Sequence, residues 1–295
     1  MSPSLPQLNR FLVQPQYSVY YRRLKRVLWT NEVRGDYLAL FLLQGSLEYK
    51  IDGESGELMA DQMLLLQPFV DAQAKGPVAE FLLLNFSSTF VIDHAVRMRL
   101  TAPGANVAFH STLVKREERL MHLSKSLVAE LTEEHAGCEI VIAALVEQFI
   151  VQLLRNYASI RRSDELELSR VGLVDRRIRR SVELMQAQLD QDLSLKEIAA
   201  ASYLSTFHFA RLFKKLTGAT PHNYLASLRT RRAQLMLAES DLSITQIGSR
   251  VGYSNPSHFA KAFRQTTGLT PRAFRNSLIS RPRIRHRDYK RNITA

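Results

Sequence analysis

Two stretches of this chain repeat one pattern of aromatic and basic side chains. His208-Phe209-Ala210-Arg211-Leu212-Phe213-Lys214 stands against His258-Phe259-Ala260-Lys261-Ala262-Phe263-Arg264. In each copy two Phe residues lie four apart, on one face of a helix, where aromatic pairs seat the helix on its neighbours. The basic residues Arg211, Lys214, Lys215, Lys261 and Arg264 fall outside that stripe. Cations on a helix face recognise polyanions, and the planar fork of arginine also matches the O6 and N7 acceptors of guanine. Arg211, near the helix start, is therefore the candidate for a base edge. Lys214, Lys215 and Arg264, further along, are candidates for phosphate. Any one of these side chains alone would be read as solvated surface. A registered duplicate of the whole set weakens that reading.

The elements that must carry these residues are legible around them. Leu193-Ser194-Leu195-Lys196-Glu197-Ile198 and Leu242-Ser243-Ile244-Thr245-Gln246-Ile247 both place Ser three residues before Glu or Gln, a capping box that starts a helix. A second start signal follows in each copy, Ser205-Thr206 and Asn255-Pro256, the proline suiting the first helical position. Each second helix ends in Thr-Gly, at Gly218 and Gly268, with glycine as the stop. Both copies continue into Thr-Pro, at Pro221 and Pro271. The offset between copies is 49 residues in the first helices and 50 in the second, so copy two has one extra residue in its turn. A short helix, a tight turn and a basic second helix is the helix-turn-helix layout. Tyr224 to Glu239 reads as one continuous helix between the copies, with Leu225, Leu228, Leu235 and Met236 facing inward. Such a strut would hold two recognition helices one duplex turn apart, roughly 34 Å. Ahead of the repeat, Ile178, Val182, Met185 and Leu189 share a face of a further helix.

Charge supports the same division. The chain has 295 residues and a net charge of +12. Residues 1–169 hold 17 basic and 20 acidic side chains, net −3, whereas residues 170–295 hold 23 and 8, net +15. The cationic end calls for a polyanion, nucleic acid or an anionic membrane surface. No apolar run is long enough to span a bilayer, and Met1 to Asn9 lacks the layout of a secretory signal, so a soluble, cytoplasmic protein is expected. The single Cys138 reads as a small buried hydrophobe.

The first part is patterned differently. Tyr37 to Leu43 is an apolar run, Leu47, Tyr49 and Ile51 alternate with Glu48 and Lys50, and Asp52-Gly53 marks a bend. Further runs at Met63–Leu66 and Phe81–Leu84 complete a set of short strands, predicting a small antiparallel barrel or sandwich. From Glu117 the period becomes helical. Leu120, Leu123, Leu127 and Leu131 mark one helix, and Val141, Leu145, Phe149 and Leu153 a second. This hairpin carries more apolar surface than its two helices can bury against each other. Arg161 to Arg170 reads as a linker, and Arg281 to Arg287 as a basic tail disordered by itself.

Residues from about Ile178 to Ser277 resemble the AraC/XylS-type DNA-binding domain. The resemblance rests on Ser194…Ile198-Ala199, Ser205…Phe209…Arg211-Leu212-Phe213-Lys214…Gly218…Pro221 and Arg229…Ala233…Leu235. It continues through Ser243-Ile244…Ile247…Gly252-Tyr253…His258-Phe259…Phe263…Gly268…Pro271. It implies that Phe207, His208, Ala210 and Arg211 of the first copy face the major groove. The matching second-copy positions are Pro256, Ser257, His258, Ala260 and Lys261. Ala210 and Ala260 are short where relatives often hydrogen-bond, which leaves an apolar touch to a thymine methyl. Thr230 departs from the usual aliphatic residue of the linker helix.

The expected fold is α+β: an N-terminal cupin-like β-barrel with a helical hairpin, then an all-α tandem helix-turn-helix domain. The expected division is 1–115 for a cupin-like sensory domain, 116–160 for a dimerising αα-hairpin and 161–175 for a linker. The DNA-binding domain follows at 176–278, with units at about 195–217 and 244–267, and the tail at 279–295. The expected function is a sequence-specific DNA-binding transcription regulator, not an enzyme, controlled by a small-molecule effector. The expected partners are double-stranded DNA, a second copy of the chain and, as an open option, RNA polymerase; no membrane partner and no cofactor are expected. Trp29, Tyr37, Phe41 and Tyr49 are the aromatics that would line an effector pocket, although each also suits a core. No His precedes His94, so the clustered histidines of metal-binding cupins are missing, and His94, His110, His122 and His135 read as ordinary packed or surface residues. Two other readings compete. A cupin-like metal oxygenase would be revealed by stoichiometric metal. A nonspecific architectural or membrane-surface protein would lose its binding with residues 281–295.

Overall fold

The computed structural model describes residues 7–31, 35–68, 70–101, 107–160, 176–217 and 219–279. The strands are β1 (Leu8–Val13), β2 (Tyr17–Leu24), β3 (Val27–Asn31), β4 (Asp36–Gln44), β5 (Ser46–Ile51), β6 (Glu54–Met59), β7 (Met63–Leu66), β8 (Ala72–Gly76) and β9 (Ala79–Ser87). Then come α1 (Ser88–Arg97), β10 (Val107–Phe109), β11 (Leu113–Val114), α2 (Glu118–Glu133), α3 (Cys138–Tyr157) and β12 (Ala158–Ile160). The helical part holds α4 (Arg176–Ala187), α5 (Leu195–Ala201), α6 (Thr206–Thr217), α7 (Pro221–Glu239), α8 (Ile244–Arg250), α9 (Pro256–Thr267) and α10 (Pro271–Ser277).

The strands form a six-stranded sheet in the order β1-β2-β9-β4-β7-β11, a four-stranded sheet β3-β8-β5-β6 and a small pair β10-β12. All these strand pairings are antiparallel. Among the described residues neither sheet closes on itself, so the expected closed barrel is instead an open pair of sheets. The Asp52-Gly53 bend joins β5 to β6, with both residues at positive φ, 49° and 94°. That is the two-residue hairpin whose twist suits the flanking strands, and glycine tolerates the second position.

Side chains alternate across the six-stranded sheet, and both of its faces are covered. On one face Leu12, Tyr21, Tyr37, Phe41, Leu82 and Phe86 pack in one core with α1, α2 and α3. On the other, Phe11, Tyr20, Leu38, Leu40, Phe81 and Leu83 share a core with the four-stranded sheet and with α7 to α10. Burial on both sides explains why β4 and β9 read as unbroken apolar runs rather than as alternation.

The hairpin of α2 and α3 disposes of its surplus apolar surface by lying on the sheet. Leu120, Leu123, Leu127 and Leu131 are buried as their spacing predicts. On α3 the buried stripe is Ile142, Val146, Phe149, Ile150, Leu153 and Leu154. Val141 is exposed and Leu145 half-buried, so the register read from the sequence is displaced at the helix start. Cys138 is free and buried, and burial raises its thiol pKa above the ordinary value. His94 is buried, with Nδ1 2.7 Å from the Phe90 carbonyl and Nε2 2.5 Å from Glu147 Oε2. His110, His122 and His135 are exposed.

The linker 161–175 and residues 280–295 of the basic tail lie outside the described residues. Ile279, the first residue assigned to that tail, is buried, and its N–H donates to the Phe11 carbonyl at 3.0 Å. The chain after α10 is thus pinned to the edge of the six-stranded sheet.

Candidate nucleic-acid interface

Both helix-turn-helix units begin with the capping geometry their sequences predict. Ser194 Oγ accepts from the Glu197 N–H at 3.2 Å, and the Ser194 N–H donates to Glu197 Oε2 at 2.8 Å. The Ser194 hydroxyl, donating to Glu197 Oε2 at 2.7 Å, and then the Ser194 N–H hold the Glu197 carboxyl below the usual carboxylate range. In the second unit Ser243 Oγ accepts from the Gln246 N–H at 3.2 Å, and the Ser243 N–H donates to Gln246 Oε1 at 2.9 Å. These reciprocal bonds satisfy donors that the helix itself leaves unpaired. Ser205 Oγ accepts from the His208 N–H at 3.3 Å at the start of α6. Asn255 Oδ1 accepts from the Ser257 N–H at 2.8 Å at the start of α9, where Pro256 takes the first position. Gly268 stops α9 at φ 75°; Gly218 is outside the described residues.

The inner faces of α6 and α9 repeat in detail. Phe209 and Phe213 are buried with ring centroids 5.4 Å apart, Phe259 and Phe263 with 5.8 Å. Phe213 meets Tyr224 at 5.4 Å, and Phe263 meets Phe274 at 5.3 Å. Thr217 and Thr267 each donate from Oγ1 to the carbonyl of the preceding Phe, at 2.8 Å in both copies. The short helix α10 is thus the second-copy counterpart of the start of α7, and Thr220 and Thr270 cap them alike. Such aromatic edge contacts add to area burial and fix helix angles.

With the Phe stripe turned inward, Arg211, Lys214 and Lys215 are left exposed, as are Lys261 and Arg264. Phe207, His208, Pro256, Ser257 and His258 are exposed too, Phe207 at 74%. An apolar ring so open at the start of a basic helix has no role in a core. Ala210 and Ala260 are half-buried beside them. One further aromatic was not singled out by the sequence pattern. Tyr203, in the turn before α6, is 80% exposed at φ 54°, with the Arg180 guanidinium 5.5 Å from its ring centre. A bulky residue at positive φ is uncommon, and only the backbone reveals it.

The two units differ in what supports them. The first has a core of its own, with Ile178, Val182 and Met185 of α4 against Phe209, Phe213 and Leu225. The second shares its core with the sheets through Phe11, Tyr20 and Phe274. Arg22 Nη2 donates to the Thr267 carbonyl at 2.8 Å, so β2 also holds the end of α9.

The four aromatics proposed for an effector pocket fall into two pairs, of which Trp29 and Tyr49 line one groove of about 730 Å³ on the four-stranded sheet and Tyr37 and Phe41 lie apart from it. Tyr37 and Phe41 point to the helix-covered face, and the Tyr37 hydroxyl donates to the Val107 carbonyl at 2.5 Å. Trp29 and Tyr49 belong to the other core, half-buried on the four-stranded sheet. Strand alternation separates the pairs, which a list of aromatic residues cannot reveal. A second cavity, of about 120 Å³, lies between the six-stranded sheet and α7, lined by Ser18, Asp36, Asn85, Thr230, Arg231 and Gln234 among others. Asn85 donates to Ser18 Oγ at 3.2 Å, leaving its own buried Oδ1 without a protein partner. Thr230, which breaks the aliphatic pattern of the linker helix, therefore faces polar surroundings. Among the described residues no three of His, Cys, Asp and Glu gather as a metal set, and no helix is long and apolar enough to cross a membrane.

Comparison with known proteins fits this geometry. A helix-turn-helix domain model matches residues 198–277. The HTH-type transcriptional regulator ArgR of Pseudomonas aeruginosa is 34% identical over 129 residues, 44% of this chain and 38% of that protein. The chain thus spans well under half the length of that relative. The uncharacterized HTH-type transcriptional regulator YobQ of Bacillus subtilis is 26% identical over 220 residues, 73% of this chain and 76% of the relative. The crystal structure of unsaturated fatty acid bound ToxT from Vibrio cholerae matches with a TM-score of 0.59 and 15% identity, covering 90% of this chain and 97% of that one. At that identity the likeness concerns the two-part fold. Tandem helix-turn-helix units with outward cations define a DNA-binding transcription regulator. Within that class, residues 198–277 are similar to the DNA-binding domains of AraC/XylS-type regulators.

Proposed function

We propose that this regulator reads two adjacent half-sites of double-stranded DNA, one with each recognition helix. The carrying observation is the registered duplication, with Phe209 and Phe213, and again Phe259 and Phe263, sealed inside while the intervening cations face solvent. Arg211 and Lys261 take base edges together with Phe207, His208, Pro256, Ser257 and His258. Lys214, Lys215 and Arg264 neutralise phosphates, which orients the protein without reading sequence. The reading includes no catalytic role and a cytoplasmic location.

The open two-sheet unit is proposed as a cupin-like sensory half, and the fatty acid bound neighbour of the same fold supports ligand control. The cavity against α7 is the place from which a ligand would act on the strut. The exposed Ile140 and Val141 at the start of α3 suit a contact between two copies through the hairpin. The test is selection of bound fragments from genomic DNA by the full chain, followed by footprinting. Two protected boxes on one DNA face are expected. Uniform recovery of all fragments would leave only a nonspecific binder.

A further inference from the structure

The strut helix carries an arginine that points neither to the recognition face nor to the sheets. Arg229 Nε donates to the Leu189 carbonyl at 3.0 Å, and its Nη2 donates to the Gln191 carbonyl at 2.6 Å. Both acceptors follow α4, and Leu189 packs on the core of the first unit. The same guanidinium lies 5.3 Å from the ring centre of Tyr253, in the turn between α8 and α9 of the second unit. Beside Tyr253, Gly252 has φ +86° and sits so close that a Cβ would collide with the Leu189 carbonyl oxygen and lie 2.7 Å from Arg229 Nη2. The first unit, the strut and the second unit therefore meet around one planar group.

This junction has a mechanical meaning. A helix fixes distance along its axis, but each unit attached to it can rock on its own packing. The two units have separate cores, so α7 alone does not define the angle between α6 and α9. A guanidinium donates in two fixed in-plane directions while its face rests on an aromatic ring. An ammonium is a point charge and cannot reproduce that geometry.

We propose that Arg229 is a positioning residue that sets the spacing and angle of the two recognition helices, and thereby the half-site separation this regulator accepts. The proposal rests on the reading that both helices enter DNA. Changing the spacer by one base pair displaces one half-site by ~3.4 Å and turns it by about 35°. A clamped pair of helices must reject that change, whereas a loosened pair can follow it.

The experiment uses the full chain and three duplexes: an operator fragment footprinted with the wild type, and the same fragment with one base pair added to or removed from the spacer between its two boxes. The wild type should bind both altered probes at least tenfold more weakly than the native one. Arg229→Met should shrink that ratio to threefold or less, and Arg229→Lys should fall between. If Arg229→Met does not fold, Arg229→Lys decides by the same ratio. A residue that merely stabilised the fold would weaken all probes by one factor, so an unchanged ratio overturns the proposal, as does a wild type indifferent to spacing. A wild type that protects no pair of boxes defeats the two-helix reading itself.

Discussion

Arg231 of α7 is paired with Asp36 at the start of β4, its Nη1 donating to the two carboxylate oxygens at 2.5 and 2.6 Å. Its Nη2 donates to the Pro15 carbonyl at 2.9 Å, so one side chain ties the strut to both β4 and the turn after β1. The Asp36 side chain is only 14% exposed and that of Arg231 35%. Hydrogen bonds to charged groups in such sites are worth about 1.5–3 kcal/mol. Asp36→Ala and Arg231→Ala should each destabilise the chain by about 2 kcal/mol, and the double variant by less than the sum. A denaturant-melt cycle checks this; a coupling near zero would show the pair to be idle.

Arg211 and Lys214 should respond differently to the same truncation. Arg211→Ala is expected to cost about 1–3 kcal/mol and to relax preference at one base position. Lys214→Ala should weaken binding alike across sequences and lower the salt slope by about 1. Titration of the footprinted operator and its single-base variants at several salt concentrations separates the two. Unchanged binding by Arg211→Ala would remove that residue from the base-reading set.

Phe213 and Phe263 occupy equivalent places in the repeat but different cores. Either substitution to Ala should cost about 3–5 kcal/mol, because a buried aromatic leaves a cavity. The damage should spread differently. Phe263→Ala is expected to lower amide protection in β1 and β2, whose Phe11 and Tyr20 share its core, whereas Phe213→Ala should leave those strands protected. Hydrogen exchange resolved by peptide is the check, and identical maps would contradict the separation of cores.

Burial pushes the Tyr224 phenol up from 10.0 to about 12, with Asp36 adding to it, and burial does the same for Tyr17. The folded protein then binds these protons more tightly than the unfolded chain. Their contribution to stability is complete below pH 10 and is lost as pH rises towards about 12. Melting temperature should therefore fall over that interval, and Tyr224→Phe should flatten part of the fall. An identical alkaline profile for the variant would exclude Tyr224 as a source.

Much of the helical half was legible residue by residue. The capping boxes, the proline and glycine punctuation and the Phe stripe are local devices, and they act over one or two turns. They place α5, α6, α8 and α9 at the expected residues, with the cations left outside. The runs in β4 and β9 likewise announced buried strands. The grouping of Trp29, Tyr37, Phe41 and Tyr49 was not legible as two pairs, because the odd-numbered positions of β4 face the helices whereas Trp29 and Tyr49 belong to a different sheet. Closure into a barrel failed because it depends on which edges pair.

The amino-acid order by itself determined the two helix-turn-helix units, their polarity and their cationic outer faces, since each follows from contacts a few residues apart. Only the folded chain decided that the second unit grows out of the sheet core, that Asp36 meets Arg231, and that Arg229 joins Leu189, Gln191 and Tyr253. Those partners lie 24 to 195 residues apart. No short-range periodicity encodes them, because they arise when independently specified surfaces are packed together.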